Sequence, residues 1–162
     1  MSRVDTRERS GCQDAITSGI DSMKKRLMVR PSACIGCRSC ELICSYRHKG
    51  EFSSYGSAVS VYEFNDVGMA TPLMCMQCEE AQCLSACRFG ALSRDEITEA
   101  VVYNRDKCVL CGMCTKSCAL GGISYDKHRE SMIKCVLCDG SPQCAMVCPV
   151  SAIDFTEMQD DE

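Results

Sequence analysis

Residues 34–44 read CIGCRSCELIC, four cysteines (Cys34, Cys37, Cys40 and Cys44) separated by gaps of two, two and three residues. Residues 108–118, CVLCGMCTKSC, repeat that spacing with Cys108, Cys111, Cys114 and Cys118. Two further runs keep the opening pair and the closing three-residue gap but lengthen the middle gap to four and five residues. They are CMQCEEAQCLSAC, with Cys75, Cys78, Cys83 and Cys87, and CVLCDGSPQCAMVC, with Cys135, Cys138, Cys144 and Cys148. Sixteen of the 17 cysteines therefore lie in four runs in register, and Cys12 alone stands outside them.

Around those runs the chain is poor in ordinary core. Its 162 residues include only 31 Leu, Ile, Val and Phe, at the edge of what composition allows a packed domain. So many cysteines in so short a chain leave disulfides, zinc sites or iron-sulfur clusters as the source of stability. The first thirty residues hold no apolar run long enough for a signal peptide, and no segment approaches the ~20 apolar residues of a membrane span. On these features the protein is expected to stay in the reducing cytoplasm, where disulfides are disfavoured.

Two-residue gaps let three thiolates wrap one cubane of iron and sulfide, with the fourth cysteine, expected at the start of a helix, carried toward a second cubane; runs then work in pairs. Zinc also uses CxxC pairs, but leaves the third and fourth cysteine of each run without a role. The complete runs predict four 4Fe-4S clusters and no three-iron centre. Met74, Met76, Met113, Met132 and Met146 read as adaptable packing beside the clusters, and His48, four residues after Cys44, as a residue that could tune a potential.

Formal net charge is −4, and four clusters held by thiolates would add roughly −8. The basic residues are scattered apart from Lys24, Lys25 and Arg26, which argues against nucleic acid as a partner. After each later run comes a small-residue turn and a short strand. Phe89 to Leu92 should end a short helix, Val101 to Tyr103 should form a strand, and further strands are expected near Ile123, Met132 and Ile153. Ahead of the repeats, Ile16, Ile20, Met23 and Leu27 have helix-face spacing after Asp14. Gln159 to Glu162 read as a solvated acidic end.

With four runs in this order, residues 30 to 156 resemble the four-cluster ferredoxin-like electron-transfer subunits of molybdenum and tungsten enzymes, formate dehydrogenases, carbon monoxide dehydrogenases and hydrogenases. The stretch CIGCRSCELICSYRHKGEFSSYGSAVSVYEF, with Ser45, His48, Gly50 and Phe52, is most similar to the small subunit of tungsten aldehyde oxidoreductases and related benzoyl-CoA reductase complexes. Pro follows the fourth cysteine only at Pro149; Arg88 and Ala119 stand in the equivalent places.

The resemblance implies an α+β, loop-rich, tandem bacterial-ferredoxin-like fold of two two-cluster halves, one inserted in the other. The outer half would be 30–70 plus 130–156 and the inner half 71–129, between an N-terminal arm (1–29) and an acidic tail (157–162). It also implies crossed ligation. Cys34, Cys37 and Cys40 would take Cys148, and Cys135, Cys138 and Cys144 would take Cys44. Cys75, Cys78 and Cys83 would take Cys118, and Cys108, Cys111 and Cys114 would take Cys87.

The implied role is relay of electrons, with no catalytic site of its own, between a tungstopterin catalytic subunit and a further redox subunit or soluble ferredoxin. The N-terminal arm leaves room for copies to stack end to end. The same wire serving formate dehydrogenase, hydrogenase or carbon monoxide dehydrogenase, a stand-alone carrier, and a zinc module are the competing readings.

Overall fold

Short β-branched stretches alternating with Gly-, Asp- and Ser-rich turns predict many brief elements. The computed structural model describes residues 25–157 and shows an α+β arrangement. In chain order the elements are β1 (Lys25–Val29), a 3-10 turn (Pro31–Ala33), α1 (Ser39–Lys49), β2 (Val59–Phe64), β3 (Met69–Met74), α2 (Gln82–Ser85), β4 (Leu92–Arg94), β5 (Val101–Tyr103), α3 (Met113–Ser117), β6 (Ile123–Asp126), β7 (Ser131–Lys134), α4 (Gln143–Met146) and β8 (Ile153–Glu157). The strands form antiparallel pairs: β2 with β3, β4 with β5, β6 with β7, and β1 with β8.

The pairing of β1 with β8 joins the two ends of the described chain, with Leu27 opposite Phe155. Leu27 is buried against Ile153 and its neighbours. Its expected place on a helix face is therefore corrected: residues 25–29 are a strand, because β8 is present to pair with all five of them. Cys12, Ile16, Ile20, Met23 and the acidic end at 159–162 lie outside the described residues.

α1 is the one helix of length among the described residues. Glu41 in its first turn and Arg47, His48 and Lys49 in its last complement its dipole. It ends at Gly50, whose φ of +75° lets the amide turn back onto the Tyr46 carbonyl. The β2–β3 hairpin buries Val59 and Val61 on one face and exposes Ser60 and Tyr62 on the other. Leu92 was expected to end a helix; α2 instead stops at Ser85 and Leu92 opens β4, paired with Tyr103.

Two small apolar clusters replace a single core, and thiols are part of both. One gathers Leu27, Val59, Val61, Met74 and Ile153 with Cys40, Cys44, Cys135 and Cys144. The other gathers Leu92, Val101, Ile123 and Met132, against which Cys83, Cys87, Cys108, Cys114 and Cys118 pack. α1 packs on α4, and α2 on α3. No helix among the described residues is long and apolar enough to cross a membrane.

Candidate functional site

All four cysteine runs share one backbone device. The residue before the second cysteine lies in the left-handed region: Gly36 (φ +70°), Gln77 (φ +50°), Leu110 (φ +57°) and Leu137 (φ +55°). Only the first is glycine, so three runs carry a strain of about 1–2 kcal/mol in the same place. Repeated strain of this kind marks a loop shaped for what it surrounds.

The third cysteine of every run, not the fourth, opens a helix. Cys40, Cys83, Cys114 and Cys144 are each the second residue of α1, α2, α3 and α4. The fourth lies about one helical turn farther, at 3.6 residues per turn, inside α1 for Cys44 and just past the helix end for Cys87, Cys118 and Cys148. This corrects the expectation that the fourth cysteine starts a helix.

The fold brings together thiols from distant runs. Cys34, Cys37, Cys40 and Cys148 line a partly open cavity of about 320 Å³, closed on one side by Val61 and Ile153. Cys87, Cys108, Cys111 and Cys114 line another of about 370 Å³, with Phe89 and Tyr103. The Cys144 thiol stands beside those of Cys135, Cys44 and Cys138, and after these Cys40. Cys83 stands beside Cys75 and Cys118; Cys78, the other cysteine of that run, is exposed. Among the described residues no three His, Cys, Asp or Glu side chains converge on the position of a single metal ion.

The chemistry of these sets suits an iron-sulfur group. Every donor is sulfur, and several thiols are desolvated: burial pushes Cys40 and Cys135 up to about 12 and raises Cys44, Cys83, Cys114 and Cys144 as well. Such thiols become thiolates when a cationic metal core takes the proton's place. Backbone amides already point at the sulfurs. Ala58 donates to Cys44 Sγ at 3.3 Å, Gly122 to Cys118 Sγ at 3.2 Å and Ala152 to Cys148 Sγ at 3.1 Å. At Cys87, burial acts upward, but the amides of Ala91, Phe89, Leu92 and Gly90 outweigh it and hold the thiol low. Among the described residues the Tyr103 hydroxyl, buried in the second cavity beside Cys108, has no conventional hydrogen-bond partner, and it is a donor that a sulfur-rich group there would satisfy.

Residues missed in the sequence complete the site. Lys134 is buried, with its ammonium 2.8 Å from Cys75 Sγ. Gln77, also buried, donates to the Cys135 carbonyl at 2.8 Å and accepts from the Val101 amide at 2.9 Å. Of the methionines, Met74 and Met132 pack in the cores while Met146 is exposed. The electrostatic neighbours of His48 are Arg47 and Asp139, not a thiol.

Residues 67–158 match the family model of a 4Fe-4S dicluster domain, and residues 31–47 a 4Fe-4S binding domain. The polyferredoxin-like subunit of the aliphatic sulfonate oxidoreductase of Pyrococcus furiosus is 38% identical over 122 residues, covering 75% of this chain and 70% of that one. Electron transport protein HydN of Escherichia coli is 27% identical over 154 residues, covering 81% and 87%. A chain of the active site complex BamBC of benzoyl-coenzyme A reductase, solved with 1,5-dienoyl-CoA, aligns with a TM-score of 0.50 at 26% identity, covering 85% of this chain and 78% of that chain. The chain thus belongs to the 4Fe-4S dicluster domain family and is an iron-sulfur electron-transfer subunit of the oxidoreductase type.

Proposed function

We propose that the chain holds four 4Fe-4S clusters in crossed sets: Cys34, Cys37, Cys40 and Cys148; Cys44, Cys135, Cys138 and Cys144; Cys75, Cys78, Cys83 and Cys118; and Cys87, Cys108, Cys111 and Cys114. The observation that carries this reading is the gathering of thiols from distant runs around two cavities, each lined by three cysteines of one run and the fourth of another. Bound clusters supply one-electron transfer. The chain's own residues desolvate the sulfurs, aim amides at them and fix the order of the sites.

The packing of α1 on α4 and of α2 on α3 supports a tandem fold in which residues 71–129 form an inner ferredoxin half inserted in an outer one. Electrons then enter at one end of the row and leave at the other, with no substrate bound to this chain. The partner is a tungstopterin catalytic subunit in the cytoplasm, a reading supported by the resemblance of the first run and its sequel and by the likeness to the benzoyl-CoA reductase complex. A second redox subunit or soluble ferredoxin completes the relay.

Anaerobic purification followed by metal and acid-labile sulfide analysis tests the cofactor: about sixteen iron and sixteen sulfide per chain are expected, and zinc without sulfide overturns the reading. Tungsten in the co-purified complex is the expected result for the partner; molybdenum or nickel in its place removes the tungsten assignment.

A further inference from the structure

A lysine side chain is rarely buried unless its charge is paired. Lys134 is 4% exposed, and the one hydrogen bond its ammonium makes among the described residues is to Cys75 Sγ, 2.8 Å away. A neutral thiol is a weak acceptor and poor compensation for a desolvated cation. The pairing is sound only when the sulfur carries negative charge, which is its state as a metal ligand. The lysine's charge also reaches Cys83 of the same run.

The position of Lys134 in the chain adds a second observation. It is the last residue of β7 and is followed directly by Cys135, which itself stands beside Cys75. Gln77 bridges the same two runs by donating to the Cys135 carbonyl. Gly122 packs on Cys75 as well, leaving no room for a Cβ against the Cys75 backbone. Here the second and fourth runs meet in a seam with little freedom to rearrange, and the ammonium is built into it.

We propose that Lys134 is a positioning residue: the fixed counter-charge of the site ligated by Cys75, setting its reduction potential above the value the ligands alone would give. The inference rests on the ligand sets proposed above. One-electron reduction adds one negative charge to that site, with no bond made and no proton moved. A cation locked against one of its sulfurs stabilises that added charge by Coulomb attraction, only partly screened because the ammonium is buried and Cys75 half-buried. The site beside the seam becomes the electron's preferred stop on its way between the second and fourth runs.

The test is an EPR-monitored titration of the full, cluster-loaded chain with dithionite as one-electron reductant. In Lys134→Met, the reduced-to-oxidised ratio of one cluster at a fixed solution potential falls at least tenfold, a downward shift of 59 mV or more for a one-electron couple. The other three clusters stay put, and Lys134→Arg keeps most of the wild-type ratio. Unchanged potentials in Lys134→Met, or equal shifts of all four clusters, overturn the proposal.

If Lys134→Met and Lys134→Gln fail to load one cluster while Lys134→Arg loads it, the charge is needed even for binding and the counter-charge role stands. If Lys134→Arg fails as well, the lysine is only a packing element and the proposal falls. Cys75→Ser that leaves all four clusters intact removes the ligand assignment itself, whereas an altered cluster in Cys75→Ser with normal potentials in Lys134→Met removes only the role of Lys134.

Discussion

The ammonium of Lys49 lies 2.5 Å from Oδ2 of Asp126, in an ion pair whose lysine is 12% and whose carboxylate is 1% exposed. It ties the last turn of α1 to the end of β6, elements from the first and third runs' surroundings. The other carboxylate oxygen accepts from the amides of His128 and Arg129. The lysine stem crosses Gly56 so closely that a Cβ there would fall within 2 Å of Nζ. Removing one partner leaves a buried charge alone, so Lys49→Met should cost about 3 kcal/mol, read as a lowered urea midpoint for loss of visible cluster absorption.

The hydrogen bond from Lys49 holds the Asp126 carboxyl below the usual carboxylate range. A depressed folded pKa contributes stability above the unfolded value of about 3.9 and loses it as pH falls through the lower folded value. The deficit of Lys49→Met should therefore be the same at pH 8 and pH 5.5. A deficit that halves across that interval shows that the pair is not the source.

Glu41, a buried acid in the first turn of α1, accepts from the Val61 amide at 2.5 Å and from Arg38 at 3.4 Å. It fixes the helix that carries Cys40 and Cys44 to the strand that walls the Cys40 cavity. Glu41→Gln keeps an acceptor for Val61 and should cost about 1 kcal/mol, while Glu41→Ala strands a buried amide and should cost about 2–3 kcal/mol. Hydrogen exchange resolves the two: the Val61 amide should exchange faster in the alanine variant only.

Gly122 follows the third run, and a Cβ on it would lie 2.7 Å from Cys75 Cα and 3.1 Å from Cys75 N. Backbone cannot yield as a flexible side chain does. Gly122→Ala should displace Cys75 or the Gly122 amide that donates to Cys118 Sγ, damaging one cluster of four and lowering iron from about sixteen toward about twelve per chain. Gly121→Ala is the control. Its φ is +63° but the space is open, so it should cost about 1 kcal/mol in strain and keep its iron.

The cysteine spacing made the local part of each run legible, because two intervening residues set the distance between neighbouring thiols whatever surrounds them; which distant cysteine stands beside each run came from the family resemblance alone. Strands at Val101, Ile123 and Ile153 were equally legible from β-branched residues flanked by turns. What stayed hidden depends on contacts across the chain. Leu27 is a strand residue only because Phe155 lies opposite it. Lys134 in SMIKC reads as an ordinary surface lysine until the fold places Cys75 against it. Gln77, too, takes its role from Cys135 and Val101, neither of them near it in sequence. The Gly at the left-handed position of the first run gave no hint that Gln77, Leu110 and Leu137 adopt the same backbone, since propensity yields to tertiary constraint there.

Crossed ligation makes a prediction that uncrossed ligation cannot share. If Cys148 completes the set of Cys34, Cys37 and Cys40, then Cys34→Ala and Cys148→Ala each perturb the same cluster, and the double variant perturbs no more than either alone. Cys44→Ala combined with Cys148→Ala should instead perturb two clusters, because those residues serve different sets. With each run binding its own cluster, the outcome for Cys34 and Cys148 is reversed to two. Mössbauer spectra of the iron-57-labelled variants count the altered clusters directly. Two altered clusters in the Cys34→Ala/Cys148→Ala double variant would end the crossed assignment, even though both thiols line one cavity. The non-additivity expected for a shared site and the additivity expected for separate ones are both required of the same three single variants.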